Sequence, residues 1–307
     1  MRSALLALLL GGCLIVRTSE DTPVETPCPS VAPELLAEAR GPFAIAGDTI
    51  YFIAANQTLS RVAVTGGTVS ELTTTYVHAS KMAADATDLY WADDNAIMRR
   101  ALTGGLAYSL VEGEPNVTEL LVDDRYVMWA GANGLAGWSK TAHNVSRIDI
   151  APLVLGLGAY DGVYYYSDTH GSAVRRTLPV EKIADSLYPA SLVVDEDGVY
   201  FFEATDTESG YAGRLRLVPR DGGEIVTLAS RLNPVMDLTA DDTNLYFVAT
   251  GGNAYRIQQV PRAGGALHTL ACGDTDRDPV FIANQGSFVY WADGRGLYRV
   301  EKAEILD

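Results

Sequence analysis

A short aliphatic and aromatic phrase recurs seven times along the chain. In each copy, an aliphatic or β-branched residue is followed by Tyr or Met and then by an aromatic residue. The copies are Ile50-Tyr51-Phe52, Leu89-Tyr90-Trp91, Val127-Met128-Trp129, Val163-Tyr164-Tyr165, Val199-Tyr200-Phe201, Leu245-Tyr246-Phe247 and Val289-Tyr290-Trp291. Their middle residues are separated by 39, 38, 36, 36, 46 and 44 positions. Steps of this size, without a helical 3.6-residue pattern, are typical of repeats that each form one small sheet.

Each copy predicts a four-stranded antiparallel sheet. In the copy from 235 to 271, four short apolar runs are separated by turns rich in Gly, Asn and Asp. The phrase itself is apolar at successive positions, so both faces of its strand must be covered. Sheets stacked around a ring meet that requirement and leave only short edges. We therefore predict an all-β, seven-bladed β-propeller over residues 34–307.

Two kinds of turn recur within the copies. An Asp stands five residues before the middle residue of four phrases, where its side chain can bond the backbone two residues on. Pairs of glycine, predicted to join the third and fourth strands through two-residue hairpins, supply positive φ. The Asp residues are Asp85, Asp123, Asp195 and Asp241, and the glycine pairs begin at 66, 104, 222 and 264.

The two ends of the chain predict how the ring closes. The last copy contains three predicted strands, and only six residues follow Glu301. Upstream of the first copy, residues 34–39 resemble the fourth strands near 226–230 and 268–272. We predict that this N-terminal strand completes the seventh blade. The alternative is that residues 303–307 form the missing strand themselves.

The N-terminal residues predict export and attachment to a membrane. Residues 4–10 are an apolar run too short to span a bilayer of about 30 Å hydrocarbon thickness, which indicates a signal peptide over 1–12. The segment Leu10-Gly11-Gly12-Cys13 resembles the bacterial lipobox, in which the cysteine is lipidated. The alternative is a plain secretory signal. Residues 13–33 are polar and proline-containing, and they predict a flexible tether. Because Leu14 follows Cys13, the resemblance favours the outer membrane if the source is Gram-negative.

Cys28 and Cys272 remain after lipidation, and they are a candidate disulfide in an exported chain. Free thiols are the alternative. The formal net charge of −16 disfavours nucleic acid as a partner, since phosphates are bound largely through Lys and Arg. The same acidity also keeps an exported protein soluble.

The sequence predicts no catalytic residues and no firm metal site. The four histidines fall in different copies, and none has a metal-ligating partner at short spacing. Asp274, Asp276 and Asp278 alternate as carboxylates do in calcium loops, but Pro279 and Gln285 stand where an EF-hand requires Gly and Glu. We predict no cofactor; calcium is left open, against the alternative of a solvated acidic loop.

One resemblance to a known family is carried by the phrases themselves. Leu89-Tyr90-Trp91-Ala92-Asp93 and Val289-Tyr290-Trp291-Ala292-Asp293 resemble the Tyr-Trp-Thr-Asp propeller repeat of extracellular receptors and of some bacterial propeller lipoproteins. The resemblance implies a binding platform whose motif residues hold the blades together. It therefore implies structural roles for Asp93, Asp168, Glu203 and Asp293, which occupy or closely match the acidic place of the motif.

These observations favour a lipid-anchored propeller of the bacterial cell envelope that binds a protein or glycan without catalysis. Loops joining second to third strands, and those joining successive blades, should share one face. On that face the candidate binding residues are His170, Asp206, Glu208, Asp274, Asp276 and Asp278. The alternative is a metal-dependent lyase or lactonase acting at the central channel.

Overall fold

The computed structural model describes residues 26–150, 153–170, 172–204, 213–251, 254–274 and 281–304, which form 28 β-strands. In chain order the strands are β1 (Glu34–Ala37), β2 (Ala39–Ala46), β3 (Thr49–Ala54), β4 (Leu59–Ala63), β5 (Ser70–Glu71), β6 (Ala79–Ala84), β7 (Asp88–Asp93), β8 (Ala96–Ala101), β9 (Tyr108–Glu112), β10 (Glu119–Val122), β11 (Tyr126–Gly131), β12 (Gly134–Ser139), β13 (Val145–Asp149), β14 (Leu157–Tyr160), β15 (Val163–Asp168), β16 (Ala173–Arg176), β17 (Glu181–Asp185), β18 (Pro189–Val194), β19 (Val199–Ala204), β20 (Gly213–Val218), β21 (Val226–Leu232), β22 (Val235–Ala240), β23 (Asn244–Gly251), β24 (Ala254–Pro261), β25 (His268–Asp274), β26 (Phe281–Gln285), β27 (Phe288–Ala292) and β28 (Leu297–Glu301).

The strands form seven four-stranded antiparallel sheets. Blade one is β2 to β5, and each following set of four strands makes the next blade up to blade six, β22 to β25. The first strands of neighbouring blades contact one another all the way round, from β2 through β6 to β26 and back to β2. The prediction of an all-β, seven-bladed propeller is confirmed.

The N-terminal strand closes the ring. Blade seven consists of β26, β27, β28 and, at its outer edge, β1. Glu34 pairs with Arg299 and Leu35 with Tyr298, while Leu36 packs into the apolar cluster between blades seven and one. The predicted closure is confirmed, and the alternative of a C-terminal fourth strand is wrong.

The apolar core lies between the blades. The second strand of each blade carries its phrase buried, except that Val163 is partly exposed, and the largest inaccessible side chains include Trp91, Trp129 and Trp291. One cluster fills each interface, so a phrase residue on one face packs on the preceding blade and its neighbour packs on the following blade. This explains why these strands are apolar at successive positions.

The Asp turns form as predicted, but the glycine turns do not. Each of the four Asp side chains accepts a hydrogen bond from the backbone two residues on, at 2.7 to 2.9 Å. The glycine pairs do have positive φ. However, the connections that contain them are residues 64–69, 102–107, 219–225 and 262–267, not two-residue hairpins. The first glycine closes a turn, as when Gly66 N–H bonds Ala63 C=O at 2.8 Å, and a short extended stretch follows before the fourth strand.

The loops divide between two faces of the ring. Connections between second and third strands bond those between successive blades, as in Val77 N–H to Gln57 C=O at 2.8 Å and Gly113 N–H to Asn95 C=O at 2.9 Å. We call this side the upper face; the Asp and glycine turns form the lower face. None of the described residues belongs to a helix long and apolar enough to cross a membrane.

Candidate functional site

The structure places two of the predicted binding residues on the upper face. His170 is exposed in the loop between β15 and β16, and Asp274 is exposed at the end of β25. Asp206, Glu208, Asp276 and Asp278 lie outside the described residues, as does the predicted lipidation site Cys13. The binding and lipidation assignments of these five residues therefore remain predictions.

An exposed apolar surface on the upper face was missed by the sequence analysis. It consists of Ile150, Leu155, Leu187 and Tyr188, which are 87%, 38%, 56% and 51% exposed. We call these four residues the blade-four patch, because they lie on the connections that enter and leave blade four. The sequence does carry a signal for this patch, because these apolar residues stand in connections, outside the pattern of buried strands.

Backbone hydrogen bonds hold the two connections of the blade-four patch together. Ser191 N–H donates to Leu155 C=O at 2.7 Å. Tyr188 has a φ of 47°, a conformation that non-glycine residues adopt rarely and that the surrounding structure must maintain. Thr169 N–H bonds Leu153 C=O at 3.2 Å, which brings the loop carrying His170 to the connection that carries Leu155. His170 therefore borders the patch.

A cluster of three charged side chains lies where the inner strands of several blades meet. Lys81 of blade two places its Nζ 3.3 Å from Glu119 Oε1 of blade three and 5.7 Å from the centre of the Phe281 ring of blade seven. Asp237 of blade six interacts electrostatically with Lys81 and accepts backbone N–H bonds from Leu238 and Ile282 at 2.9 Å. Interactions with residues of three other blades place Lys81 in the central channel. We call Lys81, Glu119 and Asp237 the channel cluster.

The channel cluster contains one more carboxyl group than cations, and its pKa values reflect this. Burial raises the pKa of Glu119 and of Asp237, although Lys81 acts in the opposite direction on both. Burial alone would lower the pKa of Lys81, but the two carboxylates reverse this effect and raise it. The lysine therefore stays charged, and the carboxyl groups retain protons to a higher pH than exposed ones do.

The four acidic residues assigned structural roles by resemblance bond within their own blades, and Asp293 also accepts a bond from blade six. Trp91 Nε1 lies 3.4 Å from Asp93, and Arg175 Nε donates to Asp168 at 2.8 Å. Glu203 lies 3.5 Å from Arg216. Asp293 accepts the Arg295 N–H at 2.9 Å and lies 3.2 Å from the Tyr255 hydroxyl. These contacts agree with the structural role that the resemblance implies.

On the lower face, a cation from one blade binds the turn of the preceding blade at three interfaces. The pairs are Asp85 with Lys140 at 2.6 Å, Asp195 with Arg262 at 2.5 Å and Asp241 with Lys302 at 2.7 Å. In each case the cation also lies 5.0 to 5.5 Å from the ring centre of the preceding phrase tyrosine: Tyr90, Tyr200 or Tyr246. We call these the interblade clamps. The first clamp forms one wall of a pocket of about 540 Å³ between blades two and three.

The two remaining cysteines form a disulfide. Cys28 is bonded to Cys272 on the outermost strand of blade six, and the Gln258 amide donates to the Thr26 hydroxyl at 3.1 Å. Residues 26–28 are therefore attached to the propeller, although the tether was predicted to extend to residue 33. The disulfide thus joins the described chain to blade six before β1 begins.

No three His, Cys, Asp or Glu side chains are grouped to hold a metal ion within the described ranges. Residues 275–278 of the candidate calcium loop lie outside those ranges, so the calcium prediction stays a prediction. The channel cluster and the clamps are among the groups of ionisable side chains that the described residues bring together.

Comparison with known proteins shows the fold. No family model and no curated protein sequence matches the chain. Among solved structures, it is similar to virginiamycin B lyase from Staphylococcus aureus, crystallised as an inactive variant with quinupristin, at 14% identity and a TM-score of 0.65 over 87% of this chain and 96% of that one. It is also similar to YCF48 bound to D1 peptide, at 11% identity and a TM-score of 0.62 over 93% and 100%.

A third similar structure is PorZ, an essential bacterial surface component of the type-IX secretion system of Porphyromonas gingivalis. The identity is 13% and the TM-score 0.63, over 89% of this chain and 39% of that one. These proteins include an enzyme, a peptide-bound protein and a surface component. What this chain shares with them is the β-propeller fold.

Proposed function

We propose that this chain is an exported, lipid-anchored propeller of the bacterial envelope that binds a protein partner on its upper face and catalyses no reaction. The observation that carries the proposal is the blade-four patch. Exposed Leu, Ile and Tyr side chains grouped on one face, in a chain whose net charge is −16, are the composition of a protein interface core. The disulfide supports export, because such bonds persist in oxidising compartments.

Site-specific photocrosslinking in cells tests the binding surface. Benzoylphenylalanine replaces Leu187 in the patch, and in a matched variant it replaces Leu106, which is 93% exposed on the lower face. We expect a light-dependent adduct of higher mass from position 187 and none from position 106. Adducts of equal yield from both positions, or from 106 alone, would contradict an upper-face interface. A glycan adduct at position 187 would mean that the partner is a glycan, the other class of ligand that the sequence predicts, and not a protein.

Detergent partitioning tests the lipid anchor separately. The full-length protein should enter the detergent phase, and the Cys13→Ser variant should remain in the aqueous phase, because acyl chains on the cysteine supply the membrane affinity. Cys28→Ser, which removes a cysteine of the disulfide instead, is the control and should partition as the unmodified protein does. Equal partitioning of the unmodified protein and Cys13→Ser would reject lipidation.

The lyase or lactonase alternative has a different expected behaviour. A likeness of 14% identity shows only the fold, so the chemistry of the lyase is not transferred to this chain. If the channel held a catalytic divalent ion, a chelator would lower the melting temperature, and one specific ion would restore it by mass action. We expect no such shift.

A further inference from the structure

A second pocket lies on the upper face and has an arginine in its lining. It has a volume of about 310 Å³ and lies where blades seven, one and two meet; its lining includes Arg40, Gly41, Gln57, Val77 and His78. We call it the Arg40 pocket. We propose that it binds a carboxylate of a peptide, either the C-terminal carboxylate of the partner or the side chain of an Asp or Glu. This inference rests on the proposal that the upper face binds a protein.

The closure of the ring places the residues of this pocket. Arg40 is the second residue of β2, directly after the closing strand, and Ala39 N–H bonds Arg295 C=O of blade seven at 3.3 Å. His78 follows Val77, which is itself held to Gln57 by the bond between the two upper-face loops. At Gly41, an added Cβ would lie 3.2 Å from the Cβ of Ile53, so glycine keeps this wall of the pocket at the level of the backbone.

The charge of this pocket comes from Arg40. Lys81, Arg99, Lys140 and Arg175 each lie close to a carboxylate, whereas no described carboxylate lies within 4.0 Å of the Arg40 guanidinium. His78 Nδ1 lies 3.7 Å from Asp94, whose side chain is 79% exposed and therefore well screened by solvent. A guanidinium presents a planar pair of N–H donors that matches a carboxylate.

Titration with small peptides tests this pocket without the natural partner. The probes are acetyl-trialanine with a free carboxylate, the same peptide as its carboxamide, and acetyl-Ala-Asp-Ala-carboxamide. The readout is the ring signal of His78 in the ¹³C-histidine NMR spectrum of the full propeller, assigned with His78→Gln. We expect a saturable shift with at least one of the two carboxylate probes and none with the trialanine carboxamide. The carboxylate probe that binds more tightly shows whether the pocket takes a C-terminal carboxylate or an acidic side chain.

Two arginine variants make the test specific. Arg40→Gln should weaken binding about tenfold or more, because a charge-assisted bidentate contact is lost. Arg61→Gln is the matched control, since Arg61 is exposed on β4, likewise without a carboxylate partner in the described residues, and should bind as the unmodified protein does. Three outcomes would overturn the proposal. One is that Arg40→Gln binds the carboxylate probes as tightly as the unmodified protein does, and another is that the trialanine carboxamide shifts the His78 signal as much as they do. The third is that the sugar acid glucuronate, added as a further probe, shifts the signal and neither carboxylate peptide does. The crosslink at position 187 does not depend on any of these outcomes.

Discussion

At the scale of single residues, Asp85 uses its two carboxylate oxygens for two purposes. Oδ1 accepts backbone N–H bonds from Thr87 and Asp88 at 2.7 Å and shapes the turn within blade two. Oδ2 binds Lys140 of blade three. Burial raises the pKa of this carboxyl, but Lys140 and the backbone donors outweigh burial and lower it to about 2. A local turn residue therefore also joins two blades.

The first prediction concerns this clamp and its dependence on pH. Lys140→Met should lower the free energy of unfolding at pH 7 by about 1–3 kcal/mol, because the partly buried Asp85 then loses its cationic partner. A depressed carboxyl pKa contributes stability above the unfolded value near 4 and loses it as pH falls toward the folded value of about 2. The difference between variant and unmodified protein should therefore narrow between pH 4 and pH 2 in denaturant titrations.

The control for this clamp is Lys182→Met, which removes the exposed pair of Lys182 with Asp185 at 2.6 Å. Exposed pairs contribute little, so we expect a change below about 1 kcal/mol. Equal losses in the two variants, or a Lys140→Met loss that does not change below pH 4, would contradict the prediction.

The second prediction concerns the channel cluster, whose pH dependence lies in a higher pH range because burial raises the pKa of its carboxyl groups. Lys81→Met should destabilise the protein by about 1–3 kcal/mol at pH 8, because two partly buried carboxylates lose the lysine that lowers their pKa values. At pH 4 the loss should be much smaller. Burial raises the pKa of Glu119 and Asp237, so the folded state holds their protons to a higher pH than exposed carboxyl groups do, and less uncompensated charge remains as the pH falls.

Adding Asp237→Asn to Lys81→Met should recover part of the stability at pH 8, since one buried charge is removed. Urea titrations at the two pH values measure both effects. A loss that is the same at pH 4 and pH 8, or no recovery in the double variant, would show that the cluster acts through packing alone.

At the scale of strands, closure depends on one short N-terminal element. β1 has four residues, and its two leucines differ sharply: Leu36 is 8% exposed and Leu35 is 54% exposed. Leu36 packs with Phe43 and Phe52 of blade one, while Arg299 of β28 bonds Glu34 at 2.8 Å. The stability of the seam between first and last blade therefore rests on few side chains.

The third prediction compares these two leucines. Leu36→Ala should lower the free energy of unfolding by about 2–4 kcal/mol, because it leaves a cavity between two blades. Leu35→Ala makes the same side-chain truncation in the same strand, but the side chain that it removes is half-exposed. It should therefore cost less than about 1 kcal/mol. Thermal melts of the two variants measure the difference. Similar melting temperatures would mean that β1 contributes hydrogen bonds but no core.

The elements that the sequence predicted well are those in which every repeat carries its own signal. The phrases predicted the buried middle strands, and the Asp residues predicted their turns, because each involves residues close in sequence. The channel cluster and the interblade clamps join residues from different copies, so no local pattern reveals them. The glycine turns were misjudged because a glycine pair specifies positive φ but not the length of the connection.

At the scale of the whole molecule, the disulfide links the start of the described chain to blade six. Cys28 and Cys272 are 244 residues apart, so the bond restrains nearly the whole propeller. In the chain-entropy account, a cross-link over so long a loop removes much freedom from the unfolded state, typically about 2–4 kcal/mol. Closure of the ring is thereby reinforced beside the seam.

The fourth prediction separates this effect from side effects of mutation. Reduction should lower the melting temperature of the unmodified protein by several degrees, since the change per kcal/mol in a domain of this size is about 2–4 °C. A variant with both Cys28→Ser and Cys272→Ser should melt at the temperature of the reduced protein and should not respond to reductant. A reductant effect that persists in this variant would trace the shift to another cause.

The position of this bond also determines how a mechanical load would travel through an anchored propeller. A pull on the proposed lipid attachment at Cys13 would reach residue 28 before it reached β1. There the force would pass into the outermost strand of blade six through a covalent bond. The hydrogen bonds between β1 and β28 would lie beyond that point and would carry little of the tension. Under shear at the membrane, the seam of the ring would thus be shielded, and reduction of one bond would expose it to the full load.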